Sequence, residues 1–147
     1  MDEYSALRIL TKRLIEHKRQ VENEQNKNYF VGAILLDRRG NIISSGTNSF
    51  CKTHPYQKKL SEKVVIKHKR EQIYLHAEIS ALVKCNTTPY TIIVARIGKN
   101  ESVYRLAKPC PICQEAIKQA QIKKVYYTNN NGDLVLFNDS DIYQEEE

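Results

Sequence analysis

The chain has 147 residues, of which 41% are hydrophobic and 27% charged, so we expect residues 1–147 to form one globular domain with a single core. No apolar run approaches the roughly 20 residues that cross a bilayer, which argues against a membrane protein or a membrane partner. The formal net charge of +6 is compatible with a phosphate-bearing partner, including nucleic acid, and equally with a solvated basic surface.

The first half of the chain predicts a helix, two strands and a long polar loop. Leu7, Leu10 and Leu14 recur at helical spacing, as on the apolar face of an amphipathic helix. An apolar run rich in strand formers follows and predicts a first strand. The turn sequence DRRGN separates it from a second predicted strand. The predicted segments are a helix at residues 4–22, strands at 29–36 and 42–45, and an irregular basic loop at 47–72.

The second half alternates helices and strands and ends in a hairpin. Ile112, Ala116 and Ala120 form a helical stripe. Asn131-Gly132 is a strong signal for a tight turn, so the last two strands should pair antiparallel. The predicted segments are helices at residues 76–85 and 110–121, strands at 91–97, 123–128 and 134–137, and a flexible tail at about 140–147.

Two short motifs carry the chemistry of the chain. One is HAE at residues 76–78, and the other is PCPIC at residues 109–113. His76, Cys110 and Cys113 supply one imidazole and two thiolates, which are ligands that zinc prefers. Three protein ligands leave the fourth tetrahedral position open, as in catalytic sites, whereas a structural site normally has four. The motifs therefore predict one catalytic zinc ion per chain.

Glu78 follows the histidine by two residues, so its carboxylate can face the open position without binding the metal. Zinc makes water nucleophilic near neutral pH, and a nearby carboxylate can then transfer protons. Each predicted ligand-bearing helix begins after a loop, and the positive end of a helix dipole favours thiolate over thiol. We therefore predict Glu78 as the catalytic acid and base.

The combined pattern H-x-E…P-C-x-x-C is the signature of zinc-dependent nucleobase deaminases. On these motifs, and on the stretch PCPICQEAIKQAQIKKVYY, the chain resembles the cytidine deaminase-like superfamily over most of residues 29–137. It is most similar to deoxycytidylate and other nucleotide deaminases. The resemblance implies an α/β fold, a three-layer α/β/α sandwich around a mixed five-stranded sheet. It also implies His76, Cys110 and Cys113 as zinc ligands and Glu78 as the proton shuttle.

The resemblance further implies a substrate and its contacts. The expected reaction converts a cytosine-bearing nucleotide or nucleoside, such as dCMP, to its uracil form with release of ammonia. Asn48 matches a family asparagine that contacts the sugar or base, and the backbone around Ala77 should help to position the nucleotide. Relatives are often dimers to hexamers, so a homo-oligomer is expected.

Other features leave alternatives open. The histidine ligand is typical of nucleotide and polynucleotide deaminases, whereas the hairpin is typical of enzymes acting on free nucleosides. HAEISAL is also similar to the equivalent segment of tRNA adenosine deaminases. A polynucleotide deaminase acting on cytosine or adenine is therefore the alternative, and a non-catalytic zinc-stabilised binding module is a lesser one.

Two further expectations concern the cysteines and the location of the protein. Cys51 and His54 form a C-x-x-H pair, but a second, structural zinc ion is not expected from two ligands. The N-terminal sequence MDEYSALRIL is not a signal peptide, and four cysteines without a secretion signal indicate thiols or metal ligands. The protein is therefore expected in the cytoplasm.

Overall fold

A mixed β-sheet with helices on both faces forms the centre of the computed structural model. The structure describes residues 1–21, 30–49, 52–63, 75–100 and 103–138. Tyr29, the predicted start of the first strand, and the predicted tail at 140–147 lie outside them. The described elements are α1 (Glu3–Val21), β1 (Phe30–Leu36), β2 (Ile42–Thr47), α2 (Pro55–Lys63), α3 (Ala77–Val83), β3 (Thr91–Ile97), β4 (Tyr104–Arg105), α4 (Pro111–Gln119), β5 (Lys124–Thr128) and β6 (Leu134–Leu136).

The strands follow the order β2-β1-β3-β5-β6, and β4 pairs with β3 off this path. Only β3 and β5 are parallel among the described pairs, so the predicted mixed sheet is confirmed. The five strands of the main path match the expected number, and β4 adds a sixth strand to the described sheet. The sequence did not predict β4 because a strand of two residues has no detectable periodicity.

The two sheet faces carry different helices. Helix α1 buries Leu10 and Leu14 against one face, together with Phe30 and Ile34 of β1. Alternate residues of β1 point to the other face, where Ala33 and Leu35 pack with residues of α3 and α4. The resulting layers agree with the expected α/β/α arrangement. In the described part of the chain, no helix is both long and apolar enough to traverse a membrane.

The C-terminal hairpin is confirmed. Strands β5 and β6 pair antiparallel, with Tyr127 opposite Val135. The side chain of Asn129 organises the turn, because its Oδ1 accepts hydrogen bonds from the backbone N–H groups of Asn131 and Asp133 at 3.0 and 2.9 Å. Gly132 has a φ of +85°, a value that favours glycine.

Helix α2 corrects the prediction that residues 47–72 are irregular. The helix covers Pro55–Lys63, whereas residues 64–74 lie outside the described part of the chain. Tyr56 and Leu60 are its only large apolar residues, and two positions among lysines are too few to reveal a helical hydrophobic period. Leu60 is nevertheless buried against α3 and α4, so tertiary packing supplies the stabilisation that sequence periodicity does not indicate.

Gly46 sets the distance between β2 and α3. A Cβ atom at this position would lie 2.7 Å from the Ala81 nitrogen and 2.8 Å from the Ala77 carbonyl oxygen. Both are backbone atoms of α3, so they cannot move aside without moving the helix. A side chain here would therefore push the first turn of α3 away from the sheet.

We predict that Gly46→Ala lowers the free energy of unfolding by about 1–3 kcal/mol, as overpacking does, and weakens zinc binding, because His76 precedes α3. Denaturant unfolding and zinc titration measure the two effects. Gly132→Ala is the matched control, since nothing lies within 4 Å of its Cβ position and only its positive φ is strained. Equal zinc affinity in the two variants would contradict this role of Gly46.

Candidate active site

Two helix starts place the predicted zinc ligands together. His76 is the N-cap of α3 and Cys110 is the N-cap of α4, and both have extended backbone conformations. Neither side chain caps its own helix, so each side chain can point across to the other helix. Pro111 occupies the first turn of α4, where its missing N–H costs nothing. Cys113 follows one turn later and is fully buried.

The three donor atoms form a tight cluster. His76 Nδ1 lies 3.2 Å from Cys113 Sγ and 3.4 Å from Cys110 Sγ. All three ligand atoms lie within 4.8 Å of one another. A tetrahedral metal ion binds nitrogen and sulfur ligands at about 2.0–2.3 Å, which places neighbouring ligand atoms at separations of this order. The geometry therefore fits a single bound ion.

The electrostatics of the cluster also favour a cation. A hydrogen bond from Cys113 lowers the pKa of Cys110 to about 4 despite the opposing effect of burial, so Cys110 is a thiolate. Burial raises the pKa of Cys113 well above that of an ordinary thiol. Burial lowers the pKa of His76, but its contact with the Cys110 sulfur outweighs this and raises the pKa overall. A divalent ion would balance the thiolate and displace the proton of Cys113.

Glu78 lies beside this cluster and does not belong to it. The residue is only 5% exposed, and burial raises the pKa of its carboxyl group. The nearby His76 and Cys113 side chains partly offset this rise in the pKa of Glu78. Among the residues that the structure describes, no fourth histidine, cysteine or acidic side chain joins the three ligands. Within the described ranges, the cluster therefore offers three metal ligands and a buried carboxylate nearby.

Gln57 of α2 is a site residue that the sequence did not indicate. It is 2% exposed, and its Oε1 accepts a hydrogen bond of 2.8 Å from the backbone N–H of His76. A second bond holds α2 in place, because the Tyr56 hydroxyl donates to Gln119 Oε1 of α4 at 3.0 Å. Helix α2 thus connects the two ligand-bearing segments. A buried glutamine inside a polar segment gives no pattern by which sequence reasoning could have found it.

The predicted substrate contacts lie next to the predicted metal ligands. Asn48 is buried at the end of β2, and the following residue, Ser49, donates its N–H to the Leu75 carbonyl, immediately before His76. The Asn48 Oδ1 accepts a hydrogen bond of 2.9 Å from the Val31 N–H, so its side chain also continues the pairing of β2 with β1. Ala77 is fully buried at the start of α3, where its N–H has no acceptor within the helix.

The predicted C-x-x-H pair is only partly described. Cys51 lies outside the described residues. His54 Nδ1 accepts a hydrogen bond of 3.0 Å from the Tyr56 N–H at the start of α2. This bond gives His54 a local role in the helix start.

We predict that Gln57→Leu weakens zinc binding by about tenfold, the lower end of the effect of losing a group that orients a metal ligand. The variant removes the acceptor that holds the His76 backbone. Competition with a chromophoric chelator would measure the affinity. Ser61→Ala is the matched control, because it removes the hydrogen bond from the Ser61 hydroxyl to the Lys58 carbonyl in the same helix without contacting His76. Unchanged zinc affinity in Gln57→Leu would contradict the role of Gln57.

Comparison with known proteins agrees with this geometry. The family model for the cytidine and deoxycytidylate deaminase zinc-binding region matches residues 7–129. No curated protein matches the chain. The matched span covers most of the 147 residues and includes the ligand cluster and Glu78. The chain therefore belongs to the cytidine and deoxycytidylate deaminase zinc-binding family.

Proposed function

We propose that this protein is a zinc-dependent hydrolytic deaminase that converts the cytosine ring of a nucleotide or nucleoside to uracil and releases ammonia. One observation carries the proposal: a buried carboxylate, Glu78, lies beside three metal ligands with no fourth such ligand in the described part of the chain. A structural zinc site would normally have four protein ligands and would give Glu78 no role.

His76, Cys110 and Cys113 would hold the zinc ion. When bound, zinc supplies the Lewis acid that makes water nucleophilic near neutral pH. Glu78 would take a proton from the water that adds to C4 and deliver it to ring nitrogen N3. It would then transfer the second proton to the amino group, which leaves as ammonia while the C4 carbonyl of uracil forms. This proton transfer is general acid–base catalysis at two positions by one carboxylate.

The first turns of α3 and the end of β2 would position the base. Asn48 and the Ala77 backbone lie on the side of the sheet that faces α3, next to His76. Cys113 and Glu78 are buried, whereas His76 and Cys110 are partly buried, and burial strengthens the electrostatic interactions of the cluster. These features support a small nucleobase as the reacting group.

A deaminase of single-stranded nucleic acid is the second candidate. The formal net charge of +6 supports it, because a basic surface attracts the phosphate backbone. Incubating zinc-loaded protein with cytidine, deoxycytidine, their mono- and triphosphates, adenosine, and single-stranded DNA and RNA distinguishes the candidates by the uracil or hypoxanthine product. Turnover of cytosine mononucleotides supports the first candidate, and turnover of polymers alone supports the second.

We predict that the purified protein contains one zinc ion per chain and that Cys110→Ala together with Cys113→Ala removes it. The double variant should also lose much stability, because metal binding energy contributes to folding. Elemental analysis and thermal unfolding measure the two effects. Cys85→Ala is the control, since Cys85 hydrogen-bonds to the Thr87 carbonyl at the end of α3 and does not belong to the cluster. A full equivalent of zinc in the double variant would refute the ligand assignment.

We predict that Glu78→Gln retains zinc and substrate binding but lowers kcat by about 10²–10⁴-fold, the usual effect of losing a general acid and base. The amide preserves the shape of the carboxylate and cannot shuttle a proton. Steady-state kinetics on the best substrate of the panel would measure the loss. Glu62→Gln, at an exposed position of α2, is the control for removing a carboxylate. Near-normal turnover in Glu78→Gln would remove Glu78 from the chemistry.

A further inference from the structure

The start of α4 also has the layout of a dithiol redox centre. It carries a C-x-x-C sequence that consists of Cys110, Pro111, Ile112 and Cys113. The helix follows β3 and precedes β5 in the chain, and these two strands pair parallel. A C-x-x-C motif in such a β-α-β unit is typical of proteins whose two thiols are reversibly oxidised to a disulfide. The proposed hydrolysis makes no use of this redox chemistry.

The two thiols differ in exposure, as a reactive thiol and its resolving partner do. Both cysteines are reduced in the structure, and Cys110 is partly exposed whereas Cys113 is fully buried. Access to the sulfur is one of the factors that set the rate of thiol–disulfide exchange. A small oxidant in solution therefore reaches the Cys110 sulfur first, and Cys113 reacts only with its neighbour.

The two sulfurs are also close enough to bond to each other. They lie within 4.8 Å of each other and of His76 Nδ1. Residues three apart at the start of a helix have Cα atoms about 5–6 Å apart, which is within the range that disulfides span. The backbone of α4 therefore allows a disulfide between Cys110 and Cys113.

A disulfide and a zinc ion exclude each other at this site. Zinc needs both sulfurs as thiolates, and the sulfurs of a disulfide no longer carry that charge. After closure, His76 would be the one member of the three-ligand cluster still able to bind the ion, and a zinc site needs at least three protein ligands. Both sulfurs are in turn occupied when zinc is bound, so the metal protects them from oxidation.

We propose that the C-x-x-C segment of α4 is a redox switch. In metal-free protein, a small disulfide oxidant converts Cys110 and Cys113 to an intramolecular disulfide, which prevents zinc binding until it is reduced. This inference rests on the ligand set of the proposed function and not on the reaction catalysed there.

Oxidised glutathione is an oxidant of this class, and the exchange with it is balanced. The Cys110 sulfur attacks one glutathione sulfur, so the glutathione disulfide breaks and one glutathione leaves as a thiol. The Cys113 sulfur then attacks the Cys110 sulfur of the mixed disulfide and releases the second glutathione. The two protein thiols thus lose two electrons and two protons, and the two glutathione thiols take them up.

Thiol mapping and zinc binding test the switch together. Full-length protein, stripped of metal with a chelator, is incubated with oxidised glutathione, alkylated and digested with trypsin. Cleavage after Arg105 and Lys118 leaves both cysteines in one peptide, residues 106–118, since trypsin does not cleave between Lys108 and Pro109. We expect this peptide to escape alkylation and to be about 2 Da lighter than its reduced form.

The oxidised protein should bind zinc at least roughly tenfold more weakly, because even the loss of a group that only orients a metal ligand has that effect. Dithiothreitol should restore the affinity. Competition with a chromophoric chelator would measure both changes. Unchanged zinc affinity in protein that carries the disulfide would overturn the switch, and so would a loss of affinity that reduction does not reverse.

Zinc should slow the oxidation by an amount that can be calculated. If only the metal-free site reacts, free zinc at about ten times its Kd leaves about a tenth of the sites metal-free. Disulfide formation should then be roughly tenfold slower than in the stripped protein. Equal rates with and without zinc would contradict the mutual exclusion of metal and disulfide.

Two variants make the result specific. Cys85→Ala is the matched control, because Cys85 hydrogen-bonds to the Thr87 carbonyl and does not belong to the cluster. It should leave the disulfide and its rate of formation unchanged. Cys113→Ala should stop at the mixed disulfide, with one glutathione on Cys110. In the wild-type protein, alkylation of both thiols after oxidation, or a disulfide from either thiol to another cysteine, would overturn the switch.

The thiol map separates this inference from the proposed function, because it needs no substrate. Absence of all turnover in zinc-loaded protein would refute the deaminase, and the map would still decide whether the disulfide forms. Turnover in zinc-loaded protein, together with two alkylated thiols in the oxidised metal-free protein, would leave the deaminase standing and refute the switch.

Discussion

The first residues of α3 and α4 meet in one small volume. The rest of this structure depends on that constraint. An imidazole and two sulfurs approach within hydrogen-bond distance of each other in a buried place, and one of the sulfurs is charged. Such a cluster is costly without a cation, and it needs a rigid frame to keep its geometry. The frame consists of β2 below α3, with no side chain at Gly46, and of α2, which connects both ligand-bearing segments through Gln57 and Tyr56.

Chemistry carried by short motifs could be predicted from the sequence. The predicted order of elements places His76 and Cys110 at two helix starts, and the C-x-x-C motif adds Cys113. The structure brings the three donor atoms within 4.8 Å of one another. The hairpin was also predictable, since Asn131-Gly132 is a local signal that does not depend on distant contacts. In both cases, the signal is carried by short motifs whose residue types can be recognised in the sequence.

Features that depend on tertiary contacts could not be predicted. Helix α2 has a weak apolar face and is stabilised by burial of Leu60 against two other helices. Gln57 accepts a hydrogen bond from the backbone N–H of His76, which lies far along the chain. The pairing of Arg96 with Arg105 required knowledge of β4, which is too short to produce a pattern. Each of these features is defined by a partner that is distant in sequence.

Strand β3 pairs with different strands along its length, and this arrangement has an evolutionary consequence. Strand β5 pairs with β3 only from Thr91 to Val94, and the remaining length of β3 is left to β4 at Arg96 and Ile97. Cys110 and Cys113 follow β4 at the start of α4, whereas His76 precedes β3 at the start of α3. Lys99 and Arg105 do not belong to the hydrophobic clusters of the described residues. Tyr104 and Ala107 of the same segment pack in the hydrophobic layers, so only exposed positions such as Lys99 and Arg105 can change without disturbing the core. The exposed end of β3 can thus change in sequence while the metal cluster keeps its frame.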